Sequence, residues 1–165
     1  MTKQLLAHHP GAQAIARAIA ILKCFTDAQP QLSLADVVAA TKLNKATAYR
    51  MLAALEKEGL VARYGDSETY RLGSEAIALG GRALRATTLY HASQAELDTL
   101  AQATGETATI ETLLEREVLI LNEVMSPRLL GAMPSIGTRW AVHATSTGKA
   151  MLAHWPAAEL DALLA

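Results

Sequence analysis

The chain has 165 residues, 51% apolar and 19% charged, so it can bury the core of one large or two small domains and is not a disordered chain. Fifteen Lys and Arg nearly balance sixteen Asp and Glu, for a net charge of -1. No global basic excess announces a nucleic-acid binder, and the single cysteine, Cys24, excludes an intrachain disulfide framework and any multi-cysteine metal site.

Residues 1–11 read as a flexible tail ending at Pro10-Gly11. From Ala12, the apolar residues Ile15, Ile19, Leu22 and Phe25 recur at helical spacing, predicting a helix that stops around Asp27–Pro30. This longest apolar stretch is broken by Arg17 and Lys23, so no membrane span is expected. The N-terminus has no long apolar core either, so no secretory signal is expected, and the expected compartment is cytoplasmic. Ser33 is placed to cap a short helix through Leu34, Val37 and Val38 that ends near Thr41. Lys42-Leu43-Asn44 then make a turn. Asn44 can cap a third helix running to Glu58, and Gly59 can supply its left-handed end. Val61–Tyr64 and Thr69–Leu72 are strand candidates joined by the turn residues Gly65-Asp66-Ser67-Glu68.

Helix, helix, tight turn, helix, hairpin is the order of a winged helix-turn-helix, in which one helix enters the DNA major groove. At about 100° per residue, Ala48, Leu52 and Leu55 of the third helix share a narrow inward sector. Arg50 and Lys57 lie nearly opposite, with Ala46 and Thr47 towards that side. Small residues let a helix approach base edges, Arg50 can bind guanine or phosphate, and Lys45 in the first turn can reach a phosphate. Tyr49 sits on the flank, where it can pack or touch DNA. Arg63 and Arg71, on opposite strands of the hairpin, can reach backbone or minor groove. Taken singly, each is also an ordinary exposed side chain; turn length, helix order, apolar sector and hairpin together carry the reading. The charge agrees: residues 1–88 hold 11 Lys and Arg against 7 Asp and Glu, and residues 89–165 hold 4 against 9. A basic first half joined to an acidic second half suggests two domains with different partners, although ordinary surface fluctuation gives the same asymmetry.

The run SLADVVAATKLNKATAYRMLAALEKEGLV, followed by YRLG, resembles the DNA-binding domain of the isocitrate lyase regulator (IclR) family. Leu43, Lys45, Ala46, Thr47, Tyr49, Arg50, Leu52 and Leu55 fill its pattern. LDTLAQATGETATI and WAVHATSTGKAMLA resemble segments of that family's effector-binding domain, so the resemblance covers nearly the whole chain from about Ala12. It implies a transcription regulator that binds a palindromic operator in double-stranded DNA as a homodimer or homotetramer. A small organic acid would change its dimer geometry.

Between the halves, Ser74 can cap a helix over Glu75–Thr88 that carries Ile77, Leu79 and Leu84 among Ala76, Ala78, Gly80, Gly81 and Ala83. Each interior glycine costs roughly 1 kcal/mol against alanine, tolerable where another helix packs closely. The resemblance makes this a linker helix that helps pair two DNA-binding domains; the plainer alternative is a kinked intradomain helix. Next, a helix over about His91–Thr104, with Leu97, Leu100 and Ala101 on one face, ends at Gly105. Thr107–Leu113 and Val118–Val124 are strand candidates around a turn at Glu115-Arg116-Glu117. Leu129–Met133 is a further strand candidate, and Trp140–Val142 leads into a helix near Thr147–His154.

That order is α+β and resembles the start of the family's GAF-like sensor domain. Thr145-Ser146-Thr147-Gly148-Lys149 opens the last helix, where backbone N–H groups suit a carboxylate. The resemblance places effector contacts at Ser146 and Thr147, with Trp140 and Ala132 as pocket wall; capping and core packing account for the same residues without a ligand. Family members continue beyond the position of Ala165, so the resemblance implies a C-terminally truncated member that responds poorly to effector. The histidines (His8, His9, His91, His143, His154) show no metal-ligand spacing, and no Ser/His/Asp set can be assembled. No cofactor, metal or enzymatic activity is expected, and Cys24 reads as a buried thiol. The fold class is therefore α+β: a tail at 1–11, a winged helix-turn-helix DNA-binding domain at 12–73, a linker helix at 74–89 and a partial effector-binding domain at 90–165. The alternative is a small-molecule sensor or enzyme fragment whose winged helix mediates protein contacts, for which the sector opposite Leu52 would have to be apolar.

Overall fold

In the computed structural model, which describes residues 10–65, 68–126, 128 and 135–164, helix α1 spans Pro10–Leu22. Proline suits the first helical turn because its missing N–H has no intrahelical partner there, so Pro10-Gly11 belongs to the helix rather than to a tail. The helix ends earlier than its apolar spacing predicts: Lys23 and Cys24 turn the chain, and Phe25 packs from outside the helix. The expected apolar face is also corrected. Ile15 and Ile19 are 64% and 46% exposed, whereas Ile21 is fully buried beside Ala18 and Leu22. The segment carries apolar residues on more than one side, so periodicity reveals the helix without choosing which side is covered. Cys24 is half-buried; its thiol donates to the Ala20 carbonyl at 3.2 Å, and burial pushes its pKa up.

Strand β1 (Leu32–Ser33) leads into α2 (Leu34–Thr41), and α3 (Lys45–Lys57) follows after a three-residue turn. Ser33 caps α2 as expected, in a reciprocal box with Asp36. The Ser33 hydroxyl, and then its backbone N–H, donate to the Asp36 carboxylate and hold its pKa below the usual carboxylate range. Strands β2 (Val61–Arg63) and β3 (Thr69–Leu72) form the hairpin. The two-residue β1, too short to show in a periodicity, pairs antiparallel with β3 to give the order β1-β3-β2. Ile21, Val37, Leu52, Val61 and Tyr70 meet in the core of this first unit, Met1–Arg82.

Helix α4 (Ser74–Arg85) begins with Ser74 inside it rather than capping it. The chain is fixed there by backbone alone: the Gly73 N–H donates to Leu60 O at 2.9 Å and the Glu75 N–H to Gly59 O at 3.1 Å. A Cβ at Gly73 would run into the Gly59 carbonyl. No residue of α4 is buried.

The second unit, Ala83–Ala165, starts within that helix. Its helix α5 (Thr88–Thr104) begins three residues earlier than expected. At the break, His91 Nε2 lies 2.7 Å from the Arg85 carbonyl and the Thr87 hydroxyl donates to Ala83 O. Leu97 and Ala101 are buried, but Leu100, expected on the same face, is 52% exposed, because Ser93 rather than Leu100 completes the inward line. Gly105 ends the helix in the left-handed region, φ 70°. Strands β4 (Ala108–Leu114), β5 (Glu117–Val124) and β6 (Arg139–Ala141) make an antiparallel sheet in that order. The register slips between Ile110 and Glu111, leaving an extra residue, Leu121, in β5. That bulge reverses the in-out alternation. Before it, Ala108, Ile110 and Val124 pack on α5; beyond it, Leu113 and Val118 face the other way.

That other side is covered by a short 3-10 turn (Val142–Ala144), α6 (Ser146–Leu152) and α7 (Ala157–Leu164). Helix α7 has no counterpart in the predicted elements, and the strand predicted at Leu129–Met133 lies outside the described residues. Among the described residues no helix is long and apolar enough to cross a membrane.

Replacing Gly73 by Ala should cost the first unit about 1–3 kcal/mol, since the neighbour that must give is backbone. Both tryptophans, Trp140 and Trp155, lie in the second unit. Calorimetry should therefore show a lowered transition for the first unit while the tryptophan-emission melt stays in place; an unmoved calorimetric trace would contradict the packing described.

Candidate nucleic-acid interface

Helix α3 is held from its two ends and its inner side. At the start, Lys42 takes a left-handed conformation (φ 57°) and bonds back to Val38 O, closing α2 and turning the chain. The Asn44 side chain accepts from the Thr47 N–H at 2.8 Å, satisfying one of the donors that a helix start leaves unpaired. At the far end, Gly59 is left-handed (φ 71°) and the Leu60 N–H returns to Leu55 O. Between them, Ala48 and Leu52 are fully buried and Leu55 nearly so, which fixes the rotation of the helix about its axis.

With that rotation set, Lys45, Ala46, Tyr49, Arg50 and Lys57 are all exposed. Among the described residues no carboxylate forms an ion pair with Lys45 or Arg50. Thr47 departs from the expectation: it is 8% exposed. It lies about 100° from Ala48 on the flank of the inward sector rather than opposite it, and its N–H is already used by the cap.

Tyr49 and Lys45 look onto a groove of about 770 Å³ between the start of α2, the first turns of α3 and the hairpin, closed on the hairpin side by Arg63, Glu68 and Tyr70. Leu34, Ala35, Val38 and Ala39 make its floor apolar, so it is the exposed Lys45 at the helix start, rather than the groove itself, that suits a phosphate.

The two hairpin arginines differ in their surroundings. Arg63 Nε lies 3.3 Å from Glu56 Oε1, with its guanidinium over the Tyr70 ring at 5.3 Å. The Arg71 guanidinium lies 5.7 Å from the Tyr64 ring centroid. Glu56 was not singled out from the sequence: it sits seven residues before Arg63 on another element, and only the fold brings the two together.

In the second unit, Trp140 is half-exposed on β6 opposite Val118, Ser146 is an exposed residue in the first turn of α6, and Thr147 is half-buried. Ala132 lies outside the described residues. The cap of α6 is Thr145, whose hydroxyl accepts from the Gly148 N–H at 2.9 Å, and a Cβ at Gly148 would strike the Val142 carbonyl. Those contacts give the Thr-Ser-Thr-Gly segment a packing role. Buried and half-buried polar side chains that no local motif marks tie this unit together. Asn122 Nδ2 donates to Gln94 Oε1 at 3.0 Å, and the Ser126 hydroxyl donates to Gly105 O at 2.7 Å. The Glu123 carboxylate accepts from both the N–H and the hydroxyl of Ser135.

Compared with known proteins, residues 14–65 match the IclR helix-turn-helix domain, and residues 81–165 match the bacterial transcriptional regulator IclR C-terminal domain. The chain is 32% identical over 151 residues to the glycerol operon regulatory protein of Streptomyces coelicolor, covering 92% of this chain and 59% of that protein. It is 29% identical to the HTH-type transcriptional regulator XynR of Escherichia coli, covering 94% of this chain and 62% of that one. The crystal structure of an IclR transcriptional regulator from Alicyclobacillus acidocaldarius superposes with a TM-score of 0.79 at 27% identity, over 92% of this chain and 62% of that one. The chain thus spans about three fifths of the length of these relatives.

Removing the cap of α3 by Asn44→Ala should destabilise the first unit by about 0.5–2 kcal/mol. Urea unfolding followed by tyrosine circular dichroism is the check, and an unchanged midpoint would show that water serves the Thr47 N–H equally well.

Proposed function

The chain belongs to the IclR family of bacterial transcriptional regulators, and from that premise we propose that it is a sequence-specific DNA-binding regulator whose helix α3 enters the major groove. One observation carries this reading: α3 is buried along Ala48, Leu52 and Leu55 and presents Lys45, Ala46, Tyr49 and Arg50 outward with no carboxylate paired to either cation among the described residues. Ala46 leaves room for close approach to base edges, and Arg50 is long enough to bind guanine or phosphate. Lys45, at the helix start, serves a phosphate, and Tyr49 lies exposed on the flank of the same helix face. A protein-docking winged helix would need an apolar outward sector, and this one is cationic.

The proposed operator is palindromic and the proposed assembly a homodimer or homotetramer paired through α4. Support comes from that helix, on which Ile77 is 74% exposed and no residue is buried. Trp140, Ser146 and Thr147 of the second unit are proposed as part of a site for a small organic acid that further segments of the full-length relatives would complete, and no catalysis is assigned to either unit.

Arg50→Ala and Lys45→Ala should each weaken binding by about 1–3 kcal/mol without loss of fold. The check is fluorescence anisotropy on a duplex that the protein itself selects from a random library. Wild-type affinity in both variants would remove α3 from the interface. Ile77→Glu should lower the mass measured by light scattering and weaken operator binding together; an unchanged mass would mean that α4 does not pair subunits.

A further inference from the structure

We infer that Arg63 is a positioning residue that sets the hairpin against the recognition helix, and that it does not contact DNA; the inference rests on the DNA-binding reading above. Residues directly opposite each other on antiparallel strands point to the same side of the sheet. Arg63 is opposite Tyr70, which is 4% exposed and faces the core, whereas Arg71 is opposite Ala62 on the reverse side. Arg63 therefore leaves the sheet on its inner side, at the rim, where α3 passes.

It is met there by two groups. Its Nε lies 3.3 Å from the carboxylate of Glu56 in the last turn of α3, and its guanidinium covers the Tyr70 ring. A phosphate approaching this point meets a cation whose charge Glu56 already balances. Arg71 has no such carboxylate among the described residues. The Arg63–Glu56 pair is half-exposed and adds little to stability. What it supplies is geometry: a planar group held at once by an acid on α3 and a ring on β3 couples hairpin to helix.

The test is the salt dependence of DNA binding, because each phosphate contact contributes a slope of about 0.9 in log affinity against log salt. Two variants are compared with wild type: Arg63→Lys, which keeps the charge but loses the planar stack, and Glu56→Gln/Arg63→Gln, which removes the pair at constant net charge. Both should bind more weakly, by up to about fivefold if the whole ~1 kcal/mol upper worth of an exposed pair is felt in DNA binding, while keeping the wild-type slope. Arg71→Gln should lower the slope. The assignment is overturned if the double variant loses about 0.9 of slope while Arg63→Lys binds like wild type, since lysine replaces arginine at a phosphate but not in a stack. Unchanged affinity in both variants overturns it as well. If wild type shows no salt-dependent DNA binding at all, the DNA-binding reading fails first and this assignment with it.

Discussion

Three elements of the first unit meet at a backbone junction that has no room for a side chain. The chain leaves α3 through the left-handed Gly59, enters the hairpin at Leu60 and returns from β3 through Gly73 to start α4. Gly73 and Glu75 give their N–H groups to the carbonyls of Leu60 and Gly59. The end of α3, the base of the hairpin and the start of α4 are therefore hydrogen-bonded to one another at a spacing only glycine permits. The placement of α4 against the hairpin follows from that junction more than from side-chain packing, since α4 buries none of its residues.

The outward surface of α3 is a consequence of its inner one. Ala48, Leu52 and Leu55 allow one rotation of the helix against Ile21, Val37 and Val61, and the caps at Asn44 and Gly59 fix its ends. Cations then stand where the core leaves them. The net charge of the whole chain is close to zero, so its surface potential is set by local arrangement: Lys45 and Arg50, without an ion-pair partner among the described residues, on α3, and a balanced pair at the hairpin rim.

The second unit solves a different problem, covering both faces of a small sheet with helices from opposite directions. The extra residue in β5 lets one strand send Val124 towards α5 and Val118 towards α6 and α7. Polar side chains fix the pieces that this leaves short of apolar contact. Ser126 joins the strand end to the last turn of α5, Asn122 joins β5 to its first turns, and Arg116 in the hairpin turn donates to the carbonyls of Ala162 and Leu163 at the end of α7. Such ties are directional and register-specific in a way that apolar burial is not.

The elements whose signals are local were legible in the sequence. Caps at Ser33 and Asn44, the left-handed end at Gly59, the helix stop at Gly105, the turn at Lys42–Asn44, the hairpin of the first unit and the inward sector of α3 depend on residues within a few positions of one another, and the structure has them all. The exposed cations of α3 were legible for the same reason, since a helix converts spacing into direction. What sequence could not decide were choices among equally apolar or equally charged partners. Helix α1 has more than one apolar side, and only contact with the core selects Ile21 over Ile15 and Ile19. The β5 alternation reverses at a bulge set by its pairing with β4. Arg63 and Arg71 look alike along the chain and part company because cross-strand register turns one towards Glu56 and the other away. Periodicity fixes the direction of a side chain within its own element; which neighbour waits in that direction is a property of the packed whole.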